Sequence, residues 1–209
     1  MANILQKPVE RYLYELLPAR DAVLAEMEAR ARREDIKIVG PVVGRLLALL
    51  VGLTGARRIF EMGSAIGYST IWLARAAGPR GRIHYTDGDP VRARDARAYF
   101  RRAGVASRID MQVGDAVGLL RQAKGPFDII FCDVDKHQYP AAFRAALPRL
   151  KRGGLLITDN VLWSGRVARR ASEDSTRAIQ QFNRLIYASR KLFPVIVPLR
   201  DGVAVCRKR

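Results

Sequence analysis

The sequence predicts an α/β fold: a seven-stranded, mostly parallel sheet, covered by helices on both faces and finished by an antiparallel C-terminal hairpin. Three observations carry this. From Arg57 onward, short apolar runs alternate with longer amphipathic stretches, the pattern of right-handed strand–helix–strand crossovers. The run Phe127-Asp128-Ile129-Ile130-Phe131-Cys132 is almost wholly apolar, as suits a central strand covered on both sides. Near the end, two apolar runs flank Arg200-Asp201-Gly202, a turn that sends the chain back antiparallel.

Taken in order, Val9–Ala29 and Pro41–Leu53 read as helices, the second with Pro in its first turn, where the missing N–H is not needed. Strands are expected at Arg58–Met62, Arg82–Asp87, Arg108–Val113, Phe127–Asp133 and Gly154–Asp159. Between them, Tyr68–Ala77, Pro90–Ala103, Ala116–Lys124 and Tyr139–Leu150 have helical patterns. Ser172 is placed to cap a helix running to about Lys191, with Glu173 and Asp174 in its first turn and Arg190 and Lys191 in its last, the charge order a helix dipole favours. Val195–Leu199 and Val203–Arg207 form the hairpin. No repeat, low-complexity tract or long linker interrupts the chain. One domain over 1–209 is therefore expected, a helical preface at 1–56 followed by the sheet core at 57–209.

Composition agrees. Hydrophobic residues are 49% and charged residues 27% of 209, the balance of a folded domain. Cys132 and Cys206 sit in apolar stretches and read as buried thiols rather than an extracellular disulfide framework. The first residues include Lys7, Glu10, Arg11 and Glu15, which leaves no apolar signal core. The longest greasy run, Leu46–Leu53, falls well short of the roughly 20 residues a bilayer needs. A cytoplasmic protein without a membrane segment is expected. The net charge of +17 comes mainly from arginine, with knots at Arg30, Arg32 and Arg33, along Arg92–Arg102, and at Arg166, Arg169 and Arg170. Such charge suits a polyanionic partner through counterion release, and equally a solvated basic surface.

Ile59-Phe60-Glu61-Met62-Gly63-Ser64-Ala65-Ile66-Gly67-Tyr68-Ser69 is a strand, a loop with glycines four apart and a helix start. Glycines let the backbone turn tightly and approach a ligand, and the helix start offers free N–H groups. Asp87, at the tip of the next strand, is placed to accept hydrogen bonds from ribose hydroxyls. A dinucleotide fingerprint would need Gly where Ala65 and Tyr68 stand. Glu61 would repel phosphate yet could orient an amino group, so a nucleoside without phosphates is the better ligand. Gly114-Asp115-Ala116 adds a loop edge that could face an adenine. The plain alternative is a tight strand-to-helix turn.

A second cluster holds Asp133-Val134-Asp135-Lys136 and Asp159-Asn160, at the carboxyl ends of adjacent expected strands. Two carboxylates and an amide carbonyl make a hard oxygen set, suited to Mg²⁺, Mn²⁺ or Ca²⁺ rather than zinc. A divalent cation there could lower a hydroxyl pKa and fix the direction of its attack. Lys136 is the candidate base, its ammonium pushed toward neutrality by a neighbouring cation. Asp135 reads as a cap or surface carboxylate, His137 as a loop residue, His84 as structural and Tyr139 as packing. Trp163 is either a pocket wall or ordinary packing.

Glu61-x-Gly63-x-x-x-Gly67-Tyr68-Ser69, Asp87 and Gly114-Asp115-Ala116 resemble the S-adenosylmethionine site of class I methyltransferases. Gly67-Tyr68-Ser69-Thr70 and Asp159-Asn160-Val161-Leu162-Trp163-Ser164-Gly165 are similar to the cation-dependent catechol and caffeoyl-CoA O-methyltransferase-like family. The resemblance runs from about Gly40 to the C-terminus and implies a Rossmann-like fold. It implies that Glu61 and Gly63 lie by the methionine portion of the cofactor, Ser69 near its carboxylate, Asp87 on the ribose and Ala116 beside the adenine, with Ser64 also among the cofactor-binding residues. Val39 would also lie near the cofactor. Asp133, Asp159 and Asn160 would hold the metal, Asp133 bordering the cofactor too, with Lys136 as the catalytic lysine. The family more often has Glu where Asp87 stands. The implied activity is methyl transfer to a catechol-like small molecule, a hydroxylated aromatic, by a homodimer. Two alternatives stay open: methylation of hydroxyuridine in tRNA, and a non-catalytic nucleic-acid-binding protein on this fold.

Overall fold

The computed structural model describes residues 4–209. Its single sheet contains β1 (Arg58–Met62), β2 (Arg82–Asp87), β3 (Ile109–Val113), β4 (Phe127–Cys132), β5 (Leu150–Thr158), β6 (Leu192–Val197) and β7 (Val203–Lys208). They lie in the order β3-β2-β1-β4-β5-β7-β6. The first five are mutually parallel, and β7 runs antiparallel to both β5 and β6. The chain builds outward from β1 in one direction and from β4 in the other. The order therefore reverses between β1 and β4, the crevice where open α/β sheets bind ligands.

The apolar pattern of the central strands follows from this placement. Successive side chains point to opposite faces, and here both faces are covered. Ile59, Ile129, Phe131 and Ile157 join Met27, Leu47, Ile71 and Phe100 in one core. That core lies under α2 (Ala22–Arg33), α3 (Gly40–Thr54), α4 (Tyr68–Ala77) and α5 (Pro90–Arg102). Phe60, Ile130, Cys132 and Leu156 point the other way, into a core with Leu120, Phe143 and Phe182. Those come from α6 (Ala116–Gln122), α7 (Tyr139–Arg149) and α8 (Asp174–Ala188). Burial pushes both free thiols, Cys132 and Cys206, up to about 12, so they behave as apolar side chains. Among the described residues no helix is long and apolar enough to cross a membrane.

Four expected boundaries change, each for a local reason. The stretch Val9–Ala29 is two helices, α1 (Lys7–Glu15) and α2. Pro18 disfavours helix at the residue before it, and the Asp21 side chain accepts from Val23 N at 3.1 Å and Leu24 N at 3.4 Å as a new cap. Strand β5 begins at Leu150 rather than Gly154, across a shift in its register with β4. Helix α8 starts at Asp174 without a side-chain cap from Glu173, so Ser172 does not cap it. Strand β6 starts at Leu192 rather than Val195 and takes in Pro194; proline is tolerated there because β6 is an edge strand.

Candidate active site

A cavity of about 780 Å³ opens at the carboxyl ends of β1, β2, β4 and β5, lined on one side by Val39, Gly63, Ser64, Ser69, Asp87 and Ala116. This is ample room for a small-molecule ligand. Asp133, Lys136, Asp159, Asn160 and Trp163 line the other side. Every residue expected at the site from sequence faces this cavity except Glu61, which lies buried behind the loop that follows β1.

The loop after β1 is held from three directions. Gly63 has φ +79, and a Cβ there would meet the Asp133 carbonyl oxygen at 2.6 Å. Only glycine lets the turns after β1 and β4 touch, so Gly63 sets where Asp133 sits. Gly63 N and Ser64 N both donate to Thr86 O, at 3.1 and 3.0 Å. The Asp87 carboxylate accepts from Ala65 N at 2.7 Å and Asp89 N at 2.9 Å. It fastens the loop, with lone pairs remaining toward the cavity.

Glu61 is fully buried. Burial pushes its carboxyl up to about 7, against the lowering effect of the Ser69, Thr70 and Ser64 hydroxyls. The Thr70 hydroxyl donates to its Oε2, whereas Oε1 has no hydrogen-bond partner. A buried acceptor of that kind is costly unless a donor arrives.

Two fastenings were not legible in the sequence. The Tyr68 hydroxyl donates to Glu28 Oε1 at 2.7 Å, and Arg20 grips the same carboxylate with Nε and Nη2, each at 3.0 Å. This ties α2 to the head of α4. The Arg200 guanidinium donates to Val39 O and, at 3.2 Å, to Ile38 O. That clamp makes a wall of Val39, and it is made by a residue 161 positions further along the chain. Sequence reading took Arg200 only as part of a turn.

On the other side, Lys136 Nζ donates to Asp133 Oδ1 at 2.9 Å, Tyr139 Oη at 2.8 Å and Val134 O at 3.3 Å. Tyr139 Oη in turn donates to the Asp159 carbonyl at 2.7 Å. Tyr139 is thus a buried polar link and not packing alone. The expectation of a lowered Lys136 pKa needs correction for the chain's own charges. Burial lowers it, but Asp133 and then Asp159 outweigh burial, and the ammonium is raised overall. Asp159 is buried with Oδ1 unpartnered. Burial raises its carboxyl, Asp133 raises it further, and Arg200 opposes them.

The segment after Asp159 has Asn160, Trp163 and Ser164 all at positive φ, 56, 47 and 55. Such strain persists only when the surroundings over-determine it. Here the β6–β7 turn does so: Val161 N donates to Gly202 O at 3.0 Å, Leu162 N to Asp201 O at 2.9 Å, and Ser164 N to the Asp201 carboxylate. Gly202 has φ +83, and a Cβ there would overlap the Leu162 side chain. Gly202→Ala is expected to lower stability by about 1–3 kcal/mol and to reduce turnover by displacing Asn160 and Trp163. A urea melt within error of the parent protein would refute this coupling.

Trp163 walls the cavity, with the Arg166 guanidinium 4.3 Å from its ring centroid and Lys136 Nζ at 5.8 Å. Asp135 is exposed and its side chain makes no cap bond, so it is a surface carboxylate. His137 is exposed. His84 stacks on Phe60 and meets Asp110 at 3.1 Å, away from the cavity.

The sequence profile of the O-methyltransferase family matches residues 19–209. The chain belongs to this family. Over 98% of both chains it is 34% identical to a catechol O-methyltransferase of Niastella koreensis. Its fold superposes on the O-methyltransferase of Bacillus cereus solved in complex with SAH, with a TM-score of 0.88, 31% identity and 97% of each chain covered. TomG of Streptomyces achromogenes, an O-methyltransferase involved in tomaymycin synthesis and solved in complex with SAM, gives 0.87 and 30%, with 96% of each chain covered.

The protein is an O-methyltransferase that uses S-adenosylmethionine. Its own residues fit that cofactor. The loop after β1 meets the cavity with no phosphate-binding cation among its residues, Gly63 to Gly67, and Glu61 Oε1 behind that loop is a buried acceptor without a partner.

Proposed function

We propose that this O-methyltransferase depends on a divalent cation and methylates one of two vicinal hydroxyls on an aromatic small molecule. The observation that carries the reading is Asp159 Oδ1, buried and unpartnered beside a second carboxylate, Asp133, at the end of the cavity next to the cofactor loop. Among the described residues no three His, Cys, Asp or Glu side chains group into a metal cage. The set expected here has only two carboxylates, with the Asn160 amide as third donor, which leaves coordination positions for water and for the acceptor's oxygens. All donors are oxygens, which favours Mg²⁺, Mn²⁺ or Ca²⁺. Held by Asp133, Asp159 and Asn160, the cation would supply acidification of a hydroxyl and a fixed pair of acceptor oxygens.

The remaining tasks fall to the chain. Glu61 orients the cofactor's amino group, and the spare lone pairs of Asp87 take ribose hydroxyls. Trp163 and Val39 wall the cavity and exclude water. Alignment of the reacting atoms in such a site is worth about 7–11 kcal/mol in favourable cases. Lys136 Nζ is positioned by Tyr139 to receive the acceptor's proton. It does so when the charges of Asp133 and Asp159 are both engaged elsewhere, which leaves burial to favour the neutral amine. The catechol O-methyltransferase name of a 34% identical relative supports a diol acceptor.

The test is methyl transfer from labelled cofactor to catechol and, separately, to bulk tRNA, each with and without chelator. The expected result is methylated catechol, lost with chelator and restored by Mg²⁺. Undiminished transfer in chelator would remove the cation from the mechanism. Methylation of tRNA with catechol left untouched would replace the acceptor.

A further inference from the structure

The charge of +17 is distributed very unevenly. In the arginine knots that stand out in the sequence, Arg30, Arg33, Arg92, Arg94, Arg102 and Arg166 meet acids, whereas Arg32, Arg97, Arg101, Arg169 and Arg170 meet none among the described residues. Arg30 meets Glu34 and Asp95, and Arg102 meets Glu26. Arg92 meets Asp89, Arg94 meets Asp95 and Arg166 meets Glu173. At the cavity end, Asp87, Asp133, Asp159 and Asp201 offset the basic residues.

The opposite end, where the parallel strands begin, is different. Arg57 and Arg58 open β1, and Arg58 is the register partner of Arg82 at the start of β2. Arg108 precedes β3. Arg121 and Lys124 lead into β4, where Arg58 donates to Lys124 O and Arg149 to Arg121 O. Lys151 and Arg152 lie at the start of β5, Arg190 and Lys191 precede β6, and Arg207 and Lys208 end the antiparallel β7, with Arg209 following. The pairings Leu155 with Arg207 and Leu192 with Lys208 bring the last two groups to the same rim. Every strand of the sheet thus brings a cation to one edge. The acids in these segments are Asp110, beside His84, and Asp128, held by the backbone N–H groups of Arg57 and Arg58 and by Lys151.

With neighbouring strands about 4.8 Å apart, the rim is roughly 29 Å long. From this rim we infer that the protein carries a docking surface for the phosphate backbone of a nucleic acid, on the end of the sheet away from the active site. Arginine predominates, and its planar fork suits phosphate oxygens. Phe193, 57% exposed beside Lys191, adds a ring on which a base can stack. The strands put the rim about 17–20 Å from the cavity, so nucleic acid held there is an anchor and not the methyl acceptor. The inference is independent of the acceptor proposed above.

Fluorescence anisotropy of the full chain with a labelled single-stranded RNA, a labelled DNA duplex and anionic phosphatidylserine vesicles tests it. Six or more neutralised phosphates give a slope of log K against log salt of about −4 for RNA or −5 for the duplex. The variant Arg82→Gln, Arg152→Gln, Lys191→Gln and Arg207→Gln is expected to make that slope shallower by about 3 and to weaken binding at least tenfold at 50 mM salt. The control Lys7→Gln, Arg11→Gln, Arg169→Gln and Arg170→Gln removes equal charge away from the rim and is expected to stay within twofold. Should the rim variant fold poorly, acetylation of the parent protein decides: bound nucleic acid should shield Lys124, Lys151 and Lys191 but not Lys7 or Lys37. Absence of nucleic-acid binding at 50 mM salt, equal loss in both variants, unshielded rim lysines, or binding to vesicles alone would each overturn the proposal.

Discussion

Asp159→Asn is expected to lower kcat/KM for methyl transfer by at least about 10³-fold, about 4 kcal/mol of transition-state stabilisation at 1.36 kcal/mol per decade. The fold should survive unharmed. The Tyr139 hydroxyl donates to the Asp159 backbone carbonyl, so that bond does not depend on the side chain. The carboxylate itself is buried beside Asp133, and burial with like charge raises its pKa; removing the charge relieves repulsion instead of breaking an ion pair. Thermal stability equal to or above that of the parent protein is therefore predicted. In the proposed site the cofactor is held mainly by the loop after β1 and by Asp87, so the thermal shift given by S-adenosylhomocysteine should persist. Activity near the parent level would remove Asp159 from the reaction, and a lost cofactor shift would make its role structural.

What was legible in the sequence divides along one physical line. Period-two apolar runs and glycine turns are local, so β1, β2, the buried β4 and the loop Gly63–Gly67 were readable. The site residues that follow strands were readable for the same reason, because the topology brings all those strand ends to one edge. Contacts made across the fold were not readable. Arg200 on Val39, Glu28 under Tyr68 and Asp201 on Ser164 join segments with no shared periodicity. The basic rim escaped notice similarly, since its arginines lie one or two at a time before successive strands. Two of the three knots that the sequence makes conspicuous lie on helices, α2 and α5, where runs of arginine fall close together along the chain. Pro194 and Pro18 show the limit of local rules. One proline is absorbed by an edge strand while the other breaks a helix, and only the neighbours decide which.

If Glu61 takes the cofactor's amino group as proposed, it is expected to link stability to cofactor binding with opposite signs. In the cofactor-free protein its carboxyl is raised from 4.5 to about 7, chiefly by burial. A raised folded-state pKa contributes stability that is complete below about pH 4.5 and lost as pH rises through about 7. The difference amounts to about 3 kcal/mol. The urea-unfolding free energy of the parent protein should therefore fall by about that much between pH 5 and pH 8, relative to Glu61→Gln measured alongside. Cofactor binding should run the other way. An ammonium donating to Oε1 requires the ionised carboxylate, so S-adenosylhomocysteine affinity should increase about tenfold per pH unit up to pH 7 and level off above it. The glutamine variant should bind weakly with no such slope. Calorimetry in two buffers of different ionisation enthalpy reads the same event as proton release on binding at pH 6. Equal unfolding profiles for parent and variant would show that the Glu61 carboxyl is not raised, and equal binding profiles that Oε1 is not the acceptor the cofactor uses.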